Sequence, residues 1–202
     1  MEIARIVNIS RHRLSDGKGI TTLVIFQGCP LHCRYCLNPD TIDSTLDASI
    51  FTCARLYEVV KIDDLYFRAT GGGVTFGGGE PLLWSSFIRE FKNVCGADWR
   101  LTVETSLNIP RKRIEEVTPI IDEYFVDIKD MNASIYEQYT GKNNGMVIEN
   151  LQWMIAQGLA EKIVIRVPVI PNFNNSVDIE NSLRILRSLG VSRIDRFTYI
   201  TH

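Results

Sequence analysis

Short apolar runs alternate with amphipathic segments along the 202 residues of the chain. The apolar runs are nearly continuous and rich in β-branched residues, which is typical of strands buried on both faces. Six of them are predicted to be strands: 21–28, 73–78, 100–105, 124–129, 162–170 and 193–201. Residues with helical periodicity lie between the strands, at 51–61, at 85–95, in a short stretch after Pro110, at 146–157 and at 178–189.

Six successive strand–helix units predict a parallel sheet with right-handed crossovers. Because six units are too few for a closed eight-stranded barrel, the expected fold is α/β, a partial (β/α)6 barrel of parallel strands. No repeat, low-complexity tract or linker interrupts the pattern, so we expect a single domain over residues 1–202. In such folds the chemistry lies at the carboxyl ends of the strands.

The composition is that of an ordinary globular protein, with 45% hydrophobic and 23% charged residues. A net charge of −2 and an isoelectric point near 5.9 give no basic surface for nucleic acid. No apolar run approaches the roughly 20 residues that span a bilayer, and the N-terminus lacks the apolar segment of a signal peptide. We therefore expect a cytoplasmic protein that binds neither nucleic acid nor membrane.

The five cysteines fall into two groups. Cys53 and Cys95 each stand at helical spacing from other apolar residues, so we expect them to be buried parts of the core. Cys29, Cys33 and Cys36 instead lie within eight positions, directly after the first predicted strand. Only this second group calls for a chemical explanation.

Three clustered thiols suit an iron–sulfur cluster better than a zinc site. Structural zinc takes four ligands, and His32 is a poor fourth ligand because it directly precedes Cys33 in a tight loop. A [4Fe–4S] cube held by three thiolates keeps one iron open for a ligand that is not protein. The C-x3-C-x2-C spacing, with Tyr35 before the last cysteine, resembles the radical S-adenosylmethionine signature.

A glycine-rich segment, "GGGVTFGGGEPLL", brackets the second predicted strand at residues 71–83. Glycine clusters often mark no more than flexible turns. Here Gly78, Gly79 and Glu80 lie at the carboxyl end of the strand, where glycine lets a ligand approach the backbone closely.

Polar residues also mark the ends of the later strands: Glu104, Thr105, Asp127, Lys129, Arg166 and His202. Each alone is more often a solvated loop residue or part of a structural ion pair. Asp127 and Lys129 stand two residues apart, so both point to the same side of their strand. Together these groups offer charges that match the ammonium and carboxylate of a methionine moiety.

The chain as a whole resembles the glycyl-radical-enzyme activating enzymes, of the pyruvate formate-lyase-activating type. "DGKGITTLVIFQGC" is similar to that family's opening "DGPGIR…FxQGC", and "CLNPDT" to its "CHNPDT". "VDIKDMN" with "YTG" resembles its "DLKxMN…G" block, and "IRVPVIPNFN" its "IRxxVVPG" strand.

The resemblance implies that Cys29, Cys33 and Cys36 ligate the cluster. It further implies a binding site for S-adenosylmethionine made by Tyr35, Gly78, Gly79, Glu80, Glu104, Thr105, Asp127, Lys129, Arg166 and His202. The reduced cluster would cleave the cofactor to a 5′-deoxyadenosyl radical, which takes a Cα hydrogen from a glycine of a partner glycyl radical enzyme. Flavodoxin or ferredoxin would be the electron donor.

The chain departs from the family pattern at several positions. Lys18 replaces proline, Thr21 replaces arginine and Leu37 replaces histidine, while Gly77 stands where serine usually precedes the GGE motif and Glu104 where aspartate is usual. The ferredoxin-like insert of many relatives is missing, so we expect one cluster only. Two alternatives remain open, a radical enzyme acting on another peptide or small molecule, and a non-enzymatic zinc-binding protein.

Overall fold

The computed structural model describes residues 2–42 and 48–198. The strands are β1 Ile3–Arg13, β2 Thr21–Phe26, β3 Ser49–Thr52, β4 Gly73–Gly78, β5 Arg100–Thr105, β6 Glu123–Asp127, β7 Ile163–Val169 and β8 Ile194–Thr198. The α-helices are α1 Cys53–Val60, α2 Asp64–Thr70, α3 Ser85–Cys95, α4 Arg111–Val117, α5 Ala133–Thr140, α6 Gly145–Ala156 and α7 Ser176–Ser188. Short 3-10 helices span Pro39–Thr41, Lys61–Asp63, Pro81–Trp84 and Ala160–Lys162.

The described residues form two compact units. The first consists of the residues up to Cys29, of Asn38–Glu104 and of Pro110–Glu123. The second consists of Pro30–Leu37, Thr105–Ile109 and the chain from Tyr124 onwards. That residues 1–202 act as a single domain stays a prediction.

In the first unit the strand order is β3-β1-β2-β4-β5. β1 runs antiparallel to both β2 and β3, whereas β2, β4 and β5 are parallel. The parallel register places Phe26 beside Gly78 and Phe76 beside Val103. The carboxyl ends of β2 and β4, which precede the cysteine and glycine motifs, therefore lie next to each other.

The two faces of these parallel strands differ because successive side chains point to opposite sides. On one face, the rings of Phe26 and Phe76 stack at 5.6 Å and Phe91 of α3 packs edge-on against Phe76 at 5.7 Å. On the other face, the buried Thr75 hydroxyl donates a 2.5 Å hydrogen bond to the carbonyl of Asp16. Aromatic side chains thus fill the layer between sheet and helices, and a polar loop covers the opposite face at Thr75.

In the second unit β6, β7 and β8 are parallel, with Asp127 beside Arg166 and Val169 beside Thr198. α7 begins at a capping box, in which the Asn175 side chain accepts from the backbone of Asp178 and the Asp178 carboxylate accepts from the backbone of Asn175. α6 buries Val147, Leu151 and Met154, the three residues that its periodicity aligns.

The predicted α/β class with six parallel strands is confirmed, three strands lying in each unit. The helices predicted at 85–95, after Pro110, at 146–157 and at 178–189 are also present, shifted by no more than two residues at an end. Gly158 and Gly190 have the positive φ angles, 76° and 96°, that are expected just beyond helix ends.

Some elements were missed or misplaced. β1, β3, α2 and α5 were not predicted, and residues 51–52 of the predicted helix 51–61 belong to β3. The search for continuous apolar runs overlooked β1, which is half-exposed and alternates apolar with polar residues. α5 was overlooked because its buried residues include two tyrosines, which favour strands.

The structural cysteines are only partly as predicted. Cys53 is buried, and its burial raises the pKa of its thiol to about 12. Cys95 lies at the end of α3 and is partly exposed, so the prediction that it is buried in the core was wrong. Along the described part of the chain, no helix is both long and apolar enough to cross a bilayer.

A buried carboxylate anchors β1 to the helical layer of the first unit. Asp63 is fully buried, and it accepts hydrogen bonds from Arg11 Nε at 2.8 Å and from Thr22 Oγ1 at 2.7 Å. Burial pushes its pKa upward, but the hydrogen bonds from Arg11 and Thr22 and the Arg11 charge outweigh burial and lower the pKa. Asp63 therefore stabilises the fold above the pKa of the unfolded chain and ceases to do so as the pH falls through its lowered value.

Replacing Asp63 by asparagine removes the negative charge and puts a donor NH2 group in place of one of the two accepting oxygens, while nearly keeping the volume of the side chain. We expect Asp63→Asn to lower the free energy of unfolding by about 1–3 kcal/mol at pH 7, measured by urea denaturation. The difference from the parent protein should begin to shrink below about pH 4, where the Asp63 carboxyl of the unfolded chain takes up a proton, and should vanish once the pH falls through the lower pKa of the folded state. Asp98→Asn is the matched control, because Asp98 is 57% exposed beside Arg68 and should change stability by less than about 0.5 kcal/mol. Equal losses in both variants would contradict this role.

Candidate cofactor site

The glycine turn after β4 is attached to the end of β2 by backbone contacts. Gly79 N–H donates to the Phe26 carbonyl at 3.1 Å, and Glu80 N–H donates to the Gly28 carbonyl at 2.7 Å. A Cβ atom on Gly79 would lie 2.1 Å from the Gly28 oxygen. Gly78 has a φ of +97°, and a Cβ atom on it would lie 2.3 Å from Ile25 Cγ2. Close approach of neighbouring atoms at both positions, and the positive φ at Gly78, therefore require glycine at both. The turn fixes the residue directly before Cys29.

Glu80 is fully buried and caps the 3-10 helix Pro81–Trp84. Its Oε1 accepts from the backbone N–H of Leu82 at 3.2 Å, and the indole N–H of Trp84 donates to the Gln27 carbonyl at 2.8 Å. The carboxylate is therefore held in a defined position at the carboxyl end of β4.

Glu104 extends from β5 over the neighbouring strand β4. Its Oε2 lies 3.0 Å from the position that a Cβ atom on Gly77 would take. On the same side of the first unit, Arg13 donates to Asp16 at 2.5 Å. The Arg13 pKa is raised mainly by this hydrogen bond and by the Asp16 charge, with a smaller contribution from the charge of Glu104.

In the second unit the cysteine loop is held by the C-terminus of α5. His32 N–H donates to the Thr140 carbonyl at 2.9 Å, and Arg34 N–H donates to the Tyr139 carbonyl at 3.1 Å. These last-turn carbonyls have no partner within their own helix, so the loop satisfies them. The positions of Cys33 and Cys36 are consequently set by α5.

Aromatic packing supports the same loop. The ring of Tyr35 lies 6.1 Å from that of Tyr139 and 5.8 Å from that of Phe173, which is itself 5.1 Å from Tyr139. The Tyr35 hydroxyl accepts a hydrogen bond from Asn172 Nδ2 at 3.3 Å. Cys33 packs against this aromatic group together with the buried Ile170.

Asp127 at the end of β6, Lys129 just beyond it and Arg166 in the middle of β7 form an ion triad. Lys129 Nζ lies 2.9 Å from Asp127 Oδ2, and Arg166 Nε lies 2.7 Å from Asp127 Oδ1. Burial raises the Asp127 pKa, but the charges of Lys129 and Arg166 and their hydrogen bonds lower it further than burial raises it. Lys129 and Arg166 thus bring two positive charges to one carboxylate, and positive charges attract an anionic ligand.

The cysteine loop lies within the electrostatic field of this triad. Burial raises the pKa of the Cys33 thiol, the charge of Lys129 opposes that rise, and the charges of Cys36 and Asp127 add to it. The second unit therefore brings the Cys33 thiol within reach of the charges predicted to hold a cofactor.

The remaining predicted residues have mixed outcomes. Thr105 is buried, and its hydroxyl accepts from Leu107 N–H at 2.9 Å, which stabilises the turn after β5. His202 lies outside the described residues. Among the residues described, no three His, Cys, Asp or Glu side chains surround one point as the ligands of a single metal ion would.

Sequence reasoning missed several residues that shape these features. Arg13 gave no signal of its own, whereas Asp16, Tyr139 and Phe173 lie within segments that resemble the family pattern but were given no role. The "YTG" segment was the one available clue to the support of the cysteine loop, because its glycine marks the end of α5, where Gly141 has a φ of +75°.

Residues 23–194 match the model of the Radical SAM superfamily. The chain is 30% identical to the pyruvate formate-lyase 2-activating enzyme of Escherichia coli K12, over 96% of this chain and 76% of that protein. It is 28% identical to the (2S)-3-sulfopropanediol dehydratase activating enzyme of Klebsiella oxytoca, over 92% of this chain and 78% of that protein.

Among solved structures, the chain is similar to Streptococcus suis SuiB bound to the precursor peptide SuiA. The TM-score is 0.66 at 15% identity, and the match covers 85% of this chain and 37% of SuiB. At this level of identity the likeness concerns the fold alone.

Proposed function

The chain belongs to the radical SAM superfamily, as an activating enzyme, and we propose that it cleaves S-adenosylmethionine reductively to activate a glycyl radical enzyme. The observation that carries the proposal is the juxtaposition, within the second unit, of the cysteine loop with the Asp127–Lys129–Arg166 triad. Lys129 and Arg166 are cations suited to the carboxylate of S-adenosylmethionine, and the charge of Lys129 reaches Cys33, a proposed ligand of the cluster.

The residues present fit a [4Fe–4S] cluster held by Cys29, Cys33 and Cys36. All three thiols are half-buried and none is in a disulfide. When bound and reduced, such a cluster supplies the electron that splits S-adenosylmethionine into methionine and a 5′-deoxyadenosyl radical, which takes a Cα hydrogen from a glycine of the partner.

The chain's own residues would bind and orient the cofactor. Lys129 would meet the methionine carboxylate, while Asp127, already between two cations, would accept from the ammonium and hold Lys129 in place. Gly78, Gly79 and Glu80 would meet the ammonium at the carboxyl end of β4. These assignments rest on the family pattern and on the charges described above.

The partner is proposed to be a glycyl radical enzyme, with flavodoxin or ferredoxin as the electron donor. The two relatives are named for different partner enzymes, pyruvate formate-lyase and (2S)-3-sulfopropanediol dehydratase. Activation of a glycyl radical enzyme is thus what they share, and the identity of the partner is where they differ.

The metal content tests the cluster assignment. Anaerobically reconstituted protein should bind about four irons per chain, and alanine at Cys29, Cys33 or Cys36 should abolish the cluster's visible absorption. Cys53→Ala is the control, since the buried Cys53 should cost packing and leave the iron in place. About eight irons, zinc in place of iron, or loss of iron in the Cys53 variant would contradict the assignment.

The chemistry is tested by product analysis. Protein with a full cluster, reduced by dithionite and given S-adenosylmethionine, should release 5′-deoxyadenosine slowly even without a partner enzyme, as measured by liquid chromatography. The Cys36→Ala variant serves as the blank. If the parent protein releases no more 5′-deoxyadenosine than that variant, the proposed reaction is wrong.

Variants of the ion triad separate binding from stability. Lys129→Met and Asp127→Asn should each weaken S-adenosylmethionine binding roughly ten- to a hundredfold, because each loses a charge-assisted hydrogen bond worth about 1.5–3 kcal/mol. Affinity is measured by equilibrium dialysis at equal iron content, alongside the thermal midpoint. Unchanged affinity with a lowered midpoint would assign both residues to the scaffold instead.

A further inference from the structure

Gly77 and Glu104 occupy adjacent positions on neighbouring parallel strands. The pairing of Phe76 with Val103 places Gly77 of β4 beside Glu104 of β5 one residue further along. A Cβ atom on Gly77 would lie 3.0 Å from Glu104 Oε2 and 3.2 Å from Leu23 Cδ1. The carboxylate of Glu104 therefore occupies the space that a side chain at position 77 would need.

The surroundings restrict where this carboxylate can go. The segment at Gly17 is packed tightly onto the strands, since a Cβ atom there would lie 3.1 Å from Thr21 Cγ2 and 3.3 Å from Thr75 Oγ1. The charge of Glu104 also reaches Arg13, whose guanidinium is bonded to Asp16. A side chain at position 77 would thus require the Glu104 carboxylate or the end of Leu23 to shift by a few tenths of an ångström.

The two positions are also both departures from the family motif. Where the pattern has serine before the GGE turn, this chain has no side chain, and where the pattern has aspartate, it has the longer glutamate. In the structure Gly77 and Glu104 are neighbours, and the side chain is smaller than the family's at position 77 and larger at position 104. A longer acid on one strand is accommodated by the lost side chain on the other.

We propose that Gly77 is a positioning residue, which makes room for the Glu104 carboxylate at the carboxyl ends of β4 and β5, and that the two residues set cofactor affinity as a size-matched pair. The proposal rests on the proposed function, in which Glu104 contacts S-adenosylmethionine through the cofactor's hydrogen-bond donors. Gly77 itself touches no ligand and acts only through Glu104.

The test is a double-mutant cycle of Gly77→Ser, Glu104→Asp and the double variant. S-adenosylmethionine affinity of cluster-loaded protein is measured by equilibrium dialysis, and the thermal midpoint is measured separately. We expect Gly77→Ser alone to weaken binding roughly tenfold, because the displaced carboxylate loses a charge-assisted hydrogen bond. The double variant should bind within about threefold of the parent protein and have a higher midpoint than Gly77→Ser.

A control variant, Gly77→Ser with Leu23→Ala, identifies the group that obstructs the new side chain. The proposed pairing is wrong if Leu23→Ala restores the affinity of Gly77→Ser and Glu104→Asp does not. It is also wrong if the affinity loss of the double variant equals the product of the losses of Gly77→Ser and Glu104→Asp. If the parent protein binds no S-adenosylmethionine, the proposed function fails together with the affinity half of this inference. The thermal midpoint of the double variant then still tests whether Gly77 and Glu104 are matched in size. A thermal midpoint no higher than that of Gly77→Ser overturns the pairing.

Discussion

In the first unit, the candidate site residues Gly78, Gly79 and Glu80 depend on one constraint. This constraint is the backbone contact between the end of β2 and the turn after β4. Two strand ends approach so closely that the Gly28 carbonyl accepts from Glu80 N–H at 2.7 Å, and no side chain fits at Gly79. This contact fixes the residue before Cys29, and the same turn places Glu80 at the cap of the next 3-10 helix. The glycine motif is therefore explained by close backbone approach before any ligand is considered.

An equivalent constraint in the second unit is the attachment of the cysteine loop to α5. The unpaired carbonyls at the end of a helix must find donors, and here the loop supplies them from His32 and Arg34. The aromatic group around Tyr35 adds packing to these hydrogen bonds. A loop rich in cysteine and poor in regular structure thereby gains a defined conformation.

Charge in the second unit is arranged to favour an anion without leaving a buried cation unpaired. Lys129 is nearly buried, and an isolated ammonium in that position would tend to lose its proton. Asp127 prevents this because it lies between Lys129 and Arg166, and its own pKa falls as a result. The triad thus combines a structural role with two cationic groups that suit an anionic ligand.

The sequence by itself determined the six parallel strands, the helices of strong periodicity and the spacing of Cys29, Cys33 and Cys36. These features are local: strand hydrophobicity, helical period and ligand spacing can be read within ten or fifteen residues. β1 and α5 escaped because their patterns are weak and their stability comes from pairing and burial against distant segments.

Only the tertiary structure decided which residues act together. The contact of Gly77 with Glu104 joins positions 27 residues apart, the Asp127–Arg166 bond joins positions 39 apart, and the support of the cysteine loop comes from the end of α5. Such contacts depend on strand register and on the path of the chain between elements, which no local pattern records. Motif spacing thus indicated which chemistry the chain carries, and the packing of strands and helices fixed where each group lies.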